Sequence, residues 1–159
     1  MKIKCIAVGK VKEKFYRQAI EEFQKRLQKY CKLEIIEVAD EKTPDKAGEK
    51  IEEQIKAVEG ERIMKHIREN DYVVALAIEG QALTSEKLAK KVEELGISGN
   101  SSIVFVIGGS LGLSNGVIAR ANYQLSFSAM TFPHQLMRVI LLEQIYRSFR
   151  IINGEPYHK

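Results

Sequence analysis

A chain of 159 residues, 45% hydrophobic and 29% charged with a formal charge of +4, can bury a sizeable core as one folded unit, which excludes disordered and fibrous classes. No apolar run reaches bilayer length, the start Met1-Lys2-Ile3-Lys4 lacks a signal-peptide pattern, and Cys5 and Cys31 form no CxxC, so a cytoplasmic protein with reduced thiols is expected. Charge is polarised: residues 1–32 hold ten Lys/Arg against three Glu, residues 34–61 ten acids against four lysines, and residues 120–159 five basic residues against two acids, which suits a face meeting a polyanion and equally suits solvated helix faces.

Ile3 to Val8 reads as a strand ended by Gly9, and Phe15, Ala19, Phe23 and Leu27 recur every fourth residue, predicting an amphipathic helix over about 11–30. Leu33 to Val38 is a second strand. After Thr43-Pro44, Ile51, Ile55 and Val58 mark one apolar stripe on a charged helix that is expected to pause at Gly60. Tyr72 to Ile78 is apolar throughout, the pattern of a central parallel strand covered on both faces. Thr84 can cap the next helix, with Leu88, Val92 and Leu95 facing inward, and Ser102 to Ile107 forms a fourth strand. Past the glycine-rich stretch Gly108 to Leu113, Ser114 can cap a short helix to about Arg120, and alternating Tyr123, Leu125 and Phe127 give a fifth strand. Pro133 suits the first turn of a last helix, roughly 133–150, which is apolar on more than one side through Leu136 to Phe149. One side of that helix can face the sheet and the other a second copy of the chain, so a homodimer is expected. Strand–helix alternation five times over predicts a single α/β domain spanning 1–159 with a mostly parallel sheet.

Three segments can carry chemistry. The loop Gly108-Gly109-Ser110-Leu111-Gly112-Leu113 follows a buried strand, at the sheet edge where open α/β folds bind ligands. Its spacing is neither GxGxxG nor GxxxxGK, so a phosphate cradle is not indicated, and a tight strand-to-helix turn accounts for it as well. The segment Ser126 to Pro133 offers hydroxyls and backbone amides between the apolar walls Phe127, Met130 and Phe132, a mixture suited to an adenosine-type ligand or to a helix start whose aromatics join the core. The ending Tyr157-His158-Lys159 holds a group that titrates near neutrality, although chain ends ordinarily fray. His66 is expected on an exposed helix, and His134 in the last helix's first turn is open to a structural or a catalytic role. No metal-ligand spacing occurs, and no paired carboxylates stand out.

Taken together, Ile107 to Ser114, Leu125 to His134, the helix Arg138 to Arg147, the ending Pro156-Tyr157-His158 and the opening Lys2 to Lys10 resemble the ribosomal RNA large-subunit methyltransferase H family, within the SPOUT superfamily of knotted methyltransferases. The resemblance spans essentially the whole chain. It implies S-adenosylmethionine as methyl donor, N3 of a pseudouridine in large-subunit ribosomal RNA of assembled ribosomes as target, a homodimer, and a deep trefoil knot in the C-terminal half. Carried onto this sequence, the cofactor site comprises Leu76, Gly108, Phe127, Ser128, Ala129, Met130, Thr131 and Phe132. Tyr157 and His158 resemble the family's active-site tail; where the family often continues with arginine, this chain ends at Lys159.

Methyl transfer to a uracil-type N3 needs an aligned methyl and a base for the N3 proton. His158 is the first candidate base and Tyr157 its orienting partner. Arg138, the N-terminal lysines and Lys159 are expected to hold RNA phosphates, with Arg147 among them unless Glu143 one turn back occupies it. The competing readings are a nucleotide- or flavin-binding protein of flavodoxin type and a ribosome-binding factor without catalysis.

Overall fold

The computed structural model describes residues 1–159. Its elements are β1 (Lys2–Val8), α1 (Lys14–Leu27), β2 (Lys32–Val38), α2 (Glu49–Met64), β3 (Tyr72–Ala82), α3 (Ser85–Ile97), β4 (Ser102–Ile107), α4 (Asn115–Arg120), β5 (Tyr123–Ser126) and α5 (His134–Ile152). The five strands form one sheet in the order β2-β1-β4-β3-β5, and every pairing is parallel. Parallel neighbours need crossover connections, which the helices supply on both faces.

Alternation along the strands decides which face each side chain serves. Ile3, Cys5 and Ala7 of β1 join Ile103, Phe105 and Ile107 of β4 in a core closed by Ile20 and Leu27 of α1, Leu88 and Val92 of α3, and Leu141, Ile145 and Phe149 of α5. The intervening Ile6, Val8, Val104 and Val106 face a smaller core closed by Ile63 of α2 and Val117 of α4. Two caps lie where the sequence places them: Thr84 Oγ1 accepts from the Lys87 N–H at 3.1 Å, and Ser114 Oγ from the Val117 N–H at 3.3 Å.

Several local expectations are corrected. Phe15 is 61% exposed, so the buried stripe of α1 begins at Ile20. In α2, Ile51 and Val58 are exposed and the face turned inward is Ile55, Glu59, Gly60 and Ile63. The helix does not pause at Gly60: a Cβ there would stand 2.4 Å from Ser114 Oγ, so glycine is required for α2 to pass α4's cap. The two-sided apolarity of α5 is met largely within the chain, because its Leu141, Leu142, Ile145, Tyr146 and Phe149 are buried in the core that α1 and α3 also close, leaving Leu136 and Ile140 only partly covered. Lys4 is 6% exposed, with Nζ donating to the His66 carbonyl at 2.8 Å, which removes it from any outward-facing basic surface. His66 itself is exposed in the turn after α2. No helix is long and apolar enough to cross a membrane.

Candidate functional site

β3 carries the deviation that shapes the site. Leu76 and Gln81 both lie opposite Leu125 of β5, so the residues between them leave the ladder. Ala77, Ile78 and Glu79 thereby form one wall of a cavity of about 590 Å³ at the C-terminal ends of β3, β4 and β5. The glycine loop after β4 forms a second wall and the loop after β5 a third, so the two segments read as chemistry-bearing face one space.

Of the eight residues expected at the cofactor site, Leu76, Gly108, Phe127, Ser128, Met130, Thr131 and Phe132 line this cavity; Ala129 lies between them in sequence and does not. Gly108 has no space for a side chain, since a Cβ would stand 2.7 Å from the Gly112 carbonyl carbon. The loop closes on itself through the Gly112 N–H, which donates to the Gly109 carbonyl at 3.0 Å. Beyond β5, Ser126 Oγ donates to the Ser128 carbonyl at 3.2 Å and Ser128 Oγ accepts from the Met130 N–H at 2.9 Å, a local serine turn that fixes the loop without help from the sheet. Met130 is 74% exposed and Ile78 47%, two apolar side chains open to solvent along this wall.

His134, Gln124, Asn115 and Lys56 also line the cavity, and sequence reasoning left them out of the site. His134 was signalled by its place in the first turn of α5; the other three carry no motif. Burial, with Arg138 nearby, lowers the His134 pKa, so its imidazole is neutral at physiological pH. A second cavity of about 470 Å³ lies between α1, the sheet and α5, lined by Val11, Ile20, Ile35 and Arg138 among others. It takes no residue from the glycine loop or the loop after β5, and two of its polar side chains, Arg138 and Glu37, are paired with each other, so the larger cavity, which both loops wall, is the better ligand site.

The tail is not frayed. Glu155 accepts from Tyr30 Oη at 2.8 Å and from Arg150 Nη1 at 2.6 Å, and the Tyr157 ring stands edge-on to Tyr146 with centroids 4.9 Å apart. Arg147 donates through Nε and Nη2 to Glu143, at 3.1 and 2.8 Å, and its Nη1 lies 3.0 Å from His158 Nδ1. A guanidinium can only donate, so Nδ1 accepts, the ring proton sits on Nε2, and that N–H donates to Glu86 Oε1 at 2.7 Å. The His158 contact holds the Glu86 carboxyl below its usual pKa. Tyr157 Oη lies 3.3 Å from Glu143 Oε2, and its phenol is pushed up by burial first and by Glu143 second. Neither Tyr157 nor His158 lines the cavity of its own chain. Along α5 the cavity ends at Met137 and the tail is anchored at Arg147, a rise of about 15 Å.

The expected phosphate ligands fare differently. Arg138 is corrected: it is 5% exposed, and donates to Glu37 Oε2 at 2.7 Å and to the carbonyls of Val8 and Gly9 at 2.9 and 2.8 Å. With its donors turned inward it cannot meet a phosphate. Arg147 is occupied by Glu143 and His158, as the one-turn spacing allowed. Lys159 is exposed at the chain end. No group of three or more His, Cys, Asp or Glu is placed to hold a metal ion.

A family model described as "Predicted SPOUT methyltransferase" matches residues 1–158. Relatives named ribosomal RNA large subunit methyltransferase H match over the full length of both chains: 65% identity over 159 residues in Bifidobacterium adolescentis, 62% in Clostridium botulinum strain Kyoto and 61% in Clostridium beijerinckii. Among solved structures, a probable methylase family protein from Haemophilus influenzae Rd KW20 is similar with a TM-score of 0.56 at 15% identity, covering 99% of this chain and 70% of that one, a likeness of fold alone.

Proposed function

The chain belongs to the ribosomal RNA large-subunit methyltransferase H family of SPOUT methyltransferases, and from that premise we propose that it methylates N3 of a pseudouridine in large-subunit ribosomal RNA of assembled ribosomes, with S-adenosylmethionine as donor. The observation that carries this reading is the convergence of the glycine loop and the Phe127–Phe132 loop on one cavity of about 590 Å³. That volume and lining suit an adenosine-bearing ligand: apolar side chains for the purine, backbone groups and Ser128 and Thr131 hydroxyls for its polar edge. The Cβ-free Gly108 lets the loop fold back on Gly112 and so sets the wall's shape. Family membership leaves the flavodoxin-like reading without support.

The donor supplies a methyl group on a positively charged sulfur. Leu76, Gly108 and the Phe127–Phe132 loop would hold it. His158 takes the N3 proton and Tyr157 steadies the imidazole. Both His158 nitrogens are engaged in the folded chain, so Nδ1 must give up Arg147 before it can accept a proton. Because the tail lies about 15 Å along α5 from its own cavity, the tail of a second copy completes each site, and the protein acts as a homodimer with the half-covered Leu136 and Ile140 at the interface. The threading of the C-terminal half into a trefoil knot belongs to the same proposal, supported by the family alone.

Mass mapping of ribosomal RNA methylated by this protein tests the substrate. His158→Ala tests the mechanism: donor binding by calorimetry stays intact and methyl incorporation into ribosomes is lost. Full activity of the variant removes His158 from the mechanism. No donor binding by the unsubstituted protein sinks the whole reading.

A further inference from the structure

Among the buried titratable groups outside the cavity and the tail, one is a carboxyl with an unpartnered oxygen. Glu59, in the middle of α2, is 4% exposed, although its helix is among the most charged parts of the chain. Its Oε2 accepts from the Glu41 N–H at 3.0 Å, while Oε1 is buried without any hydrogen-bond partner. No cation neutralises it directly: Arg62, the nearest candidate, is engaged by the Ala39 carbonyl and by Glu41. A buried carboxyl with an unanswered oxygen costs stability, and such a cost persists where the group supports something else.

What it faces is the glycine loop. A Cβ built on Gly109 would stand 3.2 Å from Glu59 Oε1 and 3.4 Å from Oε2, so the carboxyl lies directly beneath the backbone of the loop that walls the cavity. The next residue touches the end of the same loop, since Gly60 passes against Ser114, the cap of α4. Consecutive residues of one helix thus support the segment from Gly109 to Ser114 at two points.

We propose that Glu59 is a positioning residue for the methyl-donor site, its carboxyl seated under Gly109 and holding the glycine loop in the shape that receives the donor. The inference rests on the cofactor reading above and adds the residue behind the wall that keeps the loop in register. Glu59 does not touch the donor; it acts through Gly109.

The test compares the full-length protein with Glu59→Ala, Glu59→Gln, Gly109→Ala and the Glu59→Ala/Gly109→Ala double variant. Donor affinity is measured by calorimetry and amide exchange is followed across residues 108–113 without donor. Glu59→Ala weakens donor binding on the order of tenfold and speeds exchange in the loop. Glu59→Gln, which keeps the shape and the acceptor for Glu41, restores affinity to within about threefold of the unsubstituted protein. Glu59→Ala and Gly109→Ala combine non-additively, as residues acting through one contact must. Donor binding by the unsubstituted protein that Glu59→Ala leaves unchanged, with loop exchange unaltered, overturns the inference and spares the cofactor reading. Absence of donor binding by the unsubstituted protein overturns both.

Discussion

Replacing Arg138 by methionine separates a structural arginine from an RNA-binding one. The side chain is 5% exposed and makes three charge-assisted hydrogen bonds, to Glu37 Oε2 and to the carbonyls of Val8 and Gly9. Methionine keeps most of the stem volume, so the loss is polar rather than a cavity. Removing one partner of a buried ion pair costs about 3–5 kcal/mol, much of it from the partner left behind. Here the Glu37 side chain is 37% exposed and regains water, which places the loss at the lower end, about 3 kcal/mol. For a chain of this length that corresponds to a melting temperature lower by about 6–12 °C. Urea unfolding followed by two probes, with calorimetry, reads the change. Ribosome affinity, measured below the melting range across a salt series, should keep its slope. A stability loss under about 1 kcal/mol, together with a salt slope reduced by about one, would return Arg138 to the phosphate-binding surface and refute the assignment.

Gly108→Ala places a Cβ 2.7 Å from the Gly112 carbonyl carbon, backbone that cannot swing aside; donor affinity should fall by at least about tenfold in calorimetry, and an unchanged affinity would detach this loop from the site. The Cys5 thiol is buried and pushed up to about 12, chiefly by desolvation, and Cys31 to about 11; with an aromatic disulfide reagent at about pH 8 both thiols should react slowly in the folded protein and at once in denaturant, whereas a rapid two-thiol burst before unfolding would contradict the packing. Burial raises the Glu59 carboxyl above its ordinary pKa, with Asp40 and Glu41 adding to the rise and the Glu41 N–H and Arg62 opposing it. The folded chain therefore holds that proton more tightly than the unfolded chain, and the corresponding stability is lost as pH rises through the folded value. Glu59→Gln should gain on the unsubstituted protein as pH rises from about 4 to about 8, read as a widening melting difference; a flat difference would place the carboxyl in water.

The parts of the fold readable from sequence are those set by local periodicity and by caps. All five strands, the helices between them and the Thr84 and Ser114 caps follow from apolar period and hydroxyl placement. Both loops of the cavity were legible because glycines and serines interrupt apolar runs at the sheet edge. What escaped depends on distant partners. The face of α2 that turns inward includes Glu59 and Gly60, chosen by the loop after β4 and by Ser114 rather than by hydrophobic spacing, so the Ile51–Ile55–Val58 stripe pointed the wrong way. The register shift in β3 has no local signature beyond Gly80. The ordering of the tail relies on Glu86 of α3 and on Tyr30 just after α1, remote in sequence from His158 and Glu155.

Counting charges misled for a related reason. Of the five basic residues in 120–159, four are engaged inside the chain: Arg120 with the carbonyls of Arg68, Glu69 and Asp71, Arg138 with β1 and Glu37, Arg147 with Glu143 and His158, and Arg150 with Tyr30 and Glu155. Apart from the exposed Lys159, the C-terminal positive charge is thus internal scaffolding, and a polyanion must look chiefly to the N-terminal half, where Lys10, Lys12 and Lys14 are exposed. That segment is firmly held. Arg138 takes the Gly9 carbonyl, Glu37 Oε2 accepts the Val11 N–H at 2.9 Å, and Gln135 Oε1 accepts the Lys12 N–H at 3.1 Å. Arg138 and Gln135 both belong to the first turns of α5, the helix whose start also supplies His134 and Met137 to the cavity. In the ribosomal RNA reading, Arg138 serves the phosphate backbone at one remove, by fixing the lysine-bearing segment relative to the donor cavity. Its loss should therefore shift where the RNA sits more than how much charge it meets.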